Sequence, residues 1–250
     1  MKERVAVILG PTATGKSKVG IELAQRLNGE IISGDSMLVY RRMDIGTAKP
    51  TTAELALVPH HLVNILEPAE RYNVYQFQQQ ASRLIHEINE RGHLPIIVGG
   101  TGLYIQALLE DYEFDEPKTL KKNPGQYMAS VIGLTMERQF LYERINQRVE
   151  LMLAAGLKDE VEKLLAAGVP RECQSMRSIG YRQMAWYLLD GMPWDTMVDK
   201  LKQATRNFAK RQFTWYRHMD YINWFEIGRD LNYGYTTEEI TKKLVKDLGL

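Results

Sequence analysis

Eight residues near the start of the chain, Gly10-Pro11-Thr12-Ala13-Thr14-Gly15-Lys16-Ser17, carry the most specific chemical signal in the sequence. They match the pattern of a glycine, four free positions, then Gly-Lys-Ser at every fixed place. They also lie between an apolar run, Val5 to Leu9, and an amphipathic helical pattern, which is the context such a loop needs to bind phosphate. Glycines let backbone N–H groups turn inward around phosphate oxygens, and the helix N-terminus adds its partial positive charge. Lys16 is placed to neutralise the far phosphate and the Ser17 hydroxyl to coordinate Mg²⁺. The competing explanation, a strand-to-helix turn with glycines for tight packing, does not account for the lysine and the serine.

The loop implies a diphosphate or triphosphate but not the reaction. A phosphohydrolase of this class needs a second acidic residue after a buried strand to hold the metal, yet the strand candidate that ends in Val98-Gly99-Gly100 carries no carboxylate. The first acid after a strand is Asp35, following Ile31-Ile32-Ser33-Gly34. At the carboxyl edge of a sheet it can bind Mg²⁺ or act as a general base; its plainer role is to cap Met37 or Leu38. Gly100-Thr101-Gly102 is not a dinucleotide fingerprint, because Ile105 stands where the third glycine belongs. Thr101 can also N-cap the next helix. His60 and His61 are neighbours on a strand and point to opposite faces, so a structural role is expected for both. Arg144 and Arg148 are one helical turn apart and within possible reach of phosphate, but a solvated face paired with Glu is the expectation.

These residues need a frame. Strands at 4–9, 30–33, 61–66, 94–98 and 131–134, alternating with helices at about 16–27 and 74–91, predict an α/β fold with a parallel sheet of the phosphate-loop NTPase type. Thr135 is the expected N-cap of the following helix. Helical periodicity then runs to 219, and a strand at 221–225 and a helix at 237–248 complete the pattern. The stretch 112–129 is polar and turn-rich and reads as a connector within one core made of 1–111 and 130–250.

The 250 residues are 44% hydrophobic and 25% charged with a net charge of +1, an ordinary globular composition that excludes disordered and collagen-like classes. Cys173 is the single cysteine, so no intrachain disulfide and no cysteine-based zinc module forms, and a reducing, cytoplasmic setting is expected. No membrane-spanning segment is visible, and a monomer is expected. Charge is uneven, with 12 basic against 15 acidic residues in 1–120 and 20 against 16 in 121–250. From Leu201 onward at helical spacing, Phe208, Trp215 and Met219 share one face, and Arg206, Lys210 and Arg217 the opposite one. Such a basic stripe suits a phosphate backbone as well as it suits solvent.

Seven blocks together resemble one family, the tRNA dimethylallyltransferases. They are Gly10–Ser17, Gly34-Asp35-Ser36-Met37-Leu38-Val39-Tyr40-Arg41, Gly46-Thr47-Ala48-Lys49-Pro50, Val58-Pro59-His60-His61-Leu62, Gly99-Gly100-Thr101-Gly102-Leu103-Tyr104, Ile179-Gly180-Tyr181-Arg182-Gln183 and Ala209-Lys210-Arg211-Gln212-Phe213-Thr214-Trp215-Tyr216-Arg217. The resemblance implies that dimethylallyl diphosphate fills the phosphate loop and that N6 of the adenosine 3′ to the anticodon attacks its allylic carbon. On the same ground Asp35 is implied as the base, Thr101 as a contact to diphosphate and nucleotide, and Lys16, Mg²⁺ on Ser17, the loop amides and Arg182 as stabilisers of the leaving diphosphate. It further implies contacts to the tRNA anticodon stem-loop from Asp35, Ser36, Met37, Leu38, Thr101, Arg177, Arg182, Lys210, Arg211, Gln212, Thr214 and Arg217.

Two departures from the family pattern stand out. Leu38 occupies a place where relatives usually have Gln, and the connector replaces a helical insertion that in relatives helps grip the anticodon stem-loop. Alternatives left open by the sequence are transfer to a free adenine nucleotide, phosphoryl transfer to a small molecule, and RNA binding without catalysis.

Overall fold

The computed structural model describes residues 2–112 and 125–250. Among the described residues six strands run parallel in one sheet: β1 (Arg4–Leu9), β2 (Gly29–Ser33), β3 (His60–His61), β4 (Leu94–Gly99), β5 (Met128–Thr135) and β6 (Ile222–Glu226), in the spatial order β3-β2-β4-β1-β5-β6. Because all are parallel, every carboxyl end lies on one edge, where open α/β folds place their ligands. β1, β2 and β4 are buried on both faces, as the apolar runs Val5–Leu9 and Ile96–Val98 require.

Helices cover both faces and cap one edge. One apolar cluster joins Val19, Leu23 and Ile21 of α1 (Lys16–Arg26) to Ile240, Leu244 and Leu248 of α9 (Tyr233–Leu248) across Ile8, Ile96 and Ile132. On the opposite face Phe77, Ala81 and Ile85 of α3 (Val74–Glu90) and Ile105 and Leu108 of α4 (Gly102–Leu109) pack on Val7, Ile32 and Ile97. A short helix, α2 (Thr52–Leu55), begins at a capping box of Thr51 and Glu54. The helices α5 (Arg138–Ala154), α6 (Leu157–Ala166), α7 (Tyr181–Asp190) and α8 (Trp194–Tyr216) pack on one another. No described helix is long and apolar enough to cross a membrane.

Several expectations need correcting. The strand expected at 61–66 shrinks to His60–His61, with one further bridge between Tyr40 and Leu66; Leu62 and Asn64 have φ of 61° and 56°, which breaks an extended run. β5 begins at Met128, so the last residues of the expected connector belong to the sheet, while 113–124 lie outside the described residues. Glu137, not Thr135, caps α5, its carboxylate accepting from the N–H groups of Gln139 and Phe140. α9 starts at Tyr233, four residues before the expected 237.

At the amino edge of the sheet, Glu30 gathers three partners. Arg91 reaches both carboxylate oxygens at 2.9 and 3.0 Å, and the rings of His61 and His93 stand 2.7 Å away. Among the described residues His60 hydrogen-bonds the Val58 carbonyl and His61 pairs with Glu30, both structural contacts. These bonds outweigh the burial of Glu30 and hold its carboxyl down to about 2. A group whose pKa is lowered on folding stabilises above its unfolded value and loses that contribution as pH falls. Glu30→Gln is therefore expected to cost about 1–3 kcal/mol at neutral pH. In denaturant titrations the gap between variant and wild type should close as pH drops from about 4.5 toward 2; a gap that does not change with pH would contradict this account.

Candidate active site

The phosphate loop leaves β1 at Gly10 and enters α1 at Lys16. Ala13 and Gly15 have φ of 68° and 91°, the left-handed turns that direct successive amides to one side. At Gly15 a Cβ would sit 2.4 Å from the ring of Tyr233, so the position requires glycine for space as well as for φ. The hydroxyl of Thr14 and the ammonium of Lys16 both donate to the Pro11 carbonyl at 2.8 Å. Burial and, after it, the Arg148 charge lower the pKa of Lys16 to about 7 against the opposing effect of Asp35. Ser17 is exposed at the first turn of α1.

Two more loops meet this one. Gly99 lies so close to Gly34 that a Cβ would fall 2.2 Å from the Gly34 carbonyl carbon, and the Thr101 N–H donates to the Gly34 carbonyl at 3.2 Å. That approach brings Asp35 beside Thr101. The Thr101 hydroxyl accepts from the Ser36 N–H at 3.1 Å, so the threonine stands at the N-cap position of α4 without using its side chain as a cap. One carboxylate oxygen of Asp35, Oδ1, accepts from the Met37 N–H at 2.8 Å. The expected cap is thus present and occupies only half of the carboxylate. Ser36, Met37 and Leu38 follow, all half-buried.

α8 fastens the loops together. The Gln212 amide accepts from the Thr12 N–H at 3.0 Å and donates to the Gly100 carbonyl at 2.8 Å. The Tyr216 hydroxyl donates toward the carbonyls of Gly100, at 2.9 Å, and Gly10, at 3.3 Å. Gln212 is 6% exposed, which corrects its assignment to an RNA-facing surface; its amide is turned inward onto the two loops. Lys210, Arg211, Thr214 and Arg217 are exposed as expected. Trp215 is 42% exposed and lies against Gly102.

Glu160, which sequence reasoning passed over, holds the Gly46–Pro50 segment. Its carboxylate accepts from the N–H groups of Asp44, Ile45 and Gly46 at 2.8–3.1 Å and from the Tyr181 hydroxyl at 2.5 Å. Burial raises the Tyr181 pKa and the Glu160 charge adds to it. Tyr181 therefore braces this segment, and Lys49 is anchored on the Tyr40 carbonyl, Asp44 and Asn64. Its neighbour Arg182 is exposed, with its guanidinium over the ring of Trp186 at 5.4 Å, and Arg177 is exposed too. Arg182 does not line the cleft formed with Lys16 and Ser17.

That cleft, of about 330 Å³, is lined by Lys16, Ser17, Lys18, Lys49, Arg144 and Arg148 among others. A second cleft of about 480 Å³ shares Lys49, Pro50, Arg148 and Leu151 with it and is walled by Ile45, Leu55, Leu151 and Met152. Arg144 donates from Nε to the Ala13 carbonyl at 2.9 Å. The solvated, Glu-paired face expected for Arg144 and Arg148 is thus wrong: both face the phosphate loop. Helical spacing alone cannot tell which side of α5 meets the loop, because that depends on how α5 crosses the sheet edge. Among the described residues no three His, Cys, Asp or Glu side chains group as a metal site.

The family model described as IPP transferase matches residues 38–123 and 114–219, two segments that meet within the connector. The chain is 39% identical to a tRNA dimethylallyltransferase of Geobacillus kaustophilus over 312 positions, covering 100% of this chain and 99% of that one. Since 312 positions exceed 250 residues by 62, at least that many fall where this chain has no residue. In three dimensions it is similar to the full-length tRNA isopentenylpyrophosphate transferase of Bacillus halodurans (TM-score 0.93, 38% identity, 99% of this chain and 97% of that one). A corresponding enzyme of Staphylococcus epidermidis gives a TM-score of 0.89 at 35% identity, with 98% and 100% covered.

The clamp on the loops is open to test. Gln212→Ala removes the partner of the part-buried Thr12 N–H and leaves the Gly100 carbonyl with Tyr216 alone, and is expected to cost about 2 kcal/mol of stability. Equal unfolding midpoints in urea for variant and wild type would show that the amide does not hold the loops.

Proposed function

Since the chain belongs to the IPP transferase family, we propose that it transfers a dimethylallyl group from dimethylallyl diphosphate to N6 of the adenosine 3′ to the anticodon in tRNA and releases diphosphate. The observation that carries this reading is the meeting of three loops at one sheet edge: the phosphate loop, the Asp35 turn and the Thr101 turn. Inward amides, the α1 N-terminus and Lys16 suit a diphosphate, and a carboxylate stands alongside for the proton.

The chemistry follows from these positions. As N6 attacks the allylic carbon, the carbon–oxygen bond breaks and its electron pair passes to diphosphate. Loop amides and Lys16 stabilise the growing charge, which is preorganised electrostatic catalysis. The free oxygen of Asp35, Oδ2, takes the N6 proton while Oδ1 stays on the Met37 N–H and keeps the carboxylate aimed. Thr101, fixed by Ser36, presents its hydroxyl at the same edge. An exposed hydroxyl at the first turn of α1 fits Mg²⁺, which keeps most of its ligands as water and phosphate oxygens; Ser17 would hold it, and the ion would supply further neutralisation of the diphosphate. Lys210, Arg211, Thr214 and Arg217 on α8, together with Arg177 and Arg182, form the surface for the tRNA backbone.

Incubation with dimethylallyl diphosphate, Mg²⁺ and unmodified tRNA should yield isopentenyladenosine. Product on AMP but none on tRNA would overturn the acceptor assignment. Asp35→Ala is expected to lower turnover by ~10²–10⁴ with diphosphate binding retained. Lys16→Ala should weaken diphosphate binding by about 1.5–3 kcal/mol in calorimetry, and an unaltered affinity would contradict the role given to the loop.

A further inference from the structure

Behind the phosphate loop, on the side away from its cleft, Tyr233 opens α9 and lays its ring against Gly15. The side chain is 7% exposed, and its hydroxyl is enclosed and makes no hydrogen bond to any described residue. Phenylalanine would fill the same space without burying an idle hydroxyl, whose desolvation is a net loss to the fold. Burial raises the pKa of that hydroxyl against the opposing charge of Arg144, so it keeps its proton and remains a donor. The Lys18 ammonium stands over the ring, 4.9 Å from its centroid. A cation on the π-face draws electron density from the ring and makes the O–H a stronger donor.

Most loop carbonyls within reach of such a donor are already engaged. That of Pro11 accepts from Thr14 and Lys16, that of Ala13 from Arg144, and that of Gly15 from the Val19 N–H. The Thr14 carbonyl accepts from no described residue. It belongs to the same peptide unit as the Gly15 N–H, and in a trans peptide the two groups point in opposite directions. When that N–H faces a phosphate in the cleft, the carbonyl faces outward, to the side where α9 holds Tyr233.

Resting on the reading of the loop as a diphosphate site, we propose that Tyr233 is a positioning residue for prenyl transfer, its hydroxyl donating to the Thr14 carbonyl when diphosphate fills the loop. Donation to the oxygen polarises the peptide and strengthens its N–H as a donor to the phosphate, as linked hydrogen bonds do. Charge that develops on the departing diphosphate then meets a firmer amide. Tyr233 touches neither donor nor acceptor and acts only through the loop.

The test titrates inorganic diphosphate into wild type and Tyr233→Phe by calorimetry, with melting curves and prenyl transfer to unmodified tRNA measured on the same samples. Tyr233→Phe is expected to bind diphosphate about 3–10-fold more weakly, the worth of one hydrogen bond between neutral groups. It should lose a similar factor in kcat/KM for the donor and keep its KM for tRNA. Without diphosphate it should melt no lower than wild type, because it sheds a buried hydroxyl that has no partner; a hydroxyl that merely braces the fold would give the opposite change. Wild-type affinity in Tyr233→Phe overturns the proposal. So does a lowered melting temperature or a failure to fold, since either means that the hydroxyl is already engaged before diphosphate arrives. A wild type that binds no diphosphate overturns the reading of the loop together with the role of Tyr233. If the wild type binds diphosphate but does not prenylate tRNA, the reading of the reaction fails, and the titration still decides for or against Tyr233.

Discussion

Three backbone groups at the carboxyl edge of the sheet, the Gly10 carbonyl, the Thr12 N–H and the Gly100 carbonyl, are withdrawn wholly or partly from solvent and need hydrogen-bond partners. The loops that own them leave the neighbouring strands β1 and β4, and nothing within either loop satisfies them. The partners arrive from almost the other end of the chain, where Gln212 and Tyr216 project from α8. Everything else at the site depends on this clamp. The loop after β4 is in turn within backbone contact of the loop after β2, so fixing one fixes the other, and Asp35 is held beside Thr101 without any direct bond between their side chains.

Charge is handled differently at the two edges of the sheet. At the amino edge, Glu30 sits among Arg91, His61 and His93 with every oxygen paired, which is the arrangement a stable fold favours. At the carboxyl edge, Lys16, Arg144 and Arg148 crowd one cleft with Asp35 as the opposing carboxylate in their field. The first edge is complete in itself. The second has an excess of donors and positive charge, as expected of a surface built to receive an anion.

The frame and the loop were legible in the sequence because both depend on local pattern. Short apolar runs marked β1, β2 and β4, and the loop's fixed residues marked the turn from β1 into α1. Asp35 could be singled out by position, since it follows a buried strand. What escaped depends on distance in the chain. Arg144 and Arg148 carry the same spacing whether they face solvent or a phosphate, and only the path of α5 past Ala13 decides between them. Gln212 belongs to a block whose charged residues Lys210, Arg211 and Arg217 are exposed, and its inward turn follows from the helical face it shares with Ala209 and Tyr216, all buried. Glu160 carried no motif; its three backbone partners lie more than 110 residues away in sequence. The connector expected at 112–129 is described only at its ends.

α8 serves two masters with two faces. Ala209, Gln212 and Tyr216 look inward to the catalytic loops, and Lys210, Arg211, Thr214 and Arg217 look outward. Inward positions are bound by geometry that tolerates little drift, whereas outward ones touch nothing the loops require. A lineage can therefore revise the outward surface of this helix one residue at a time, while the machinery behind it is inherited unaltered.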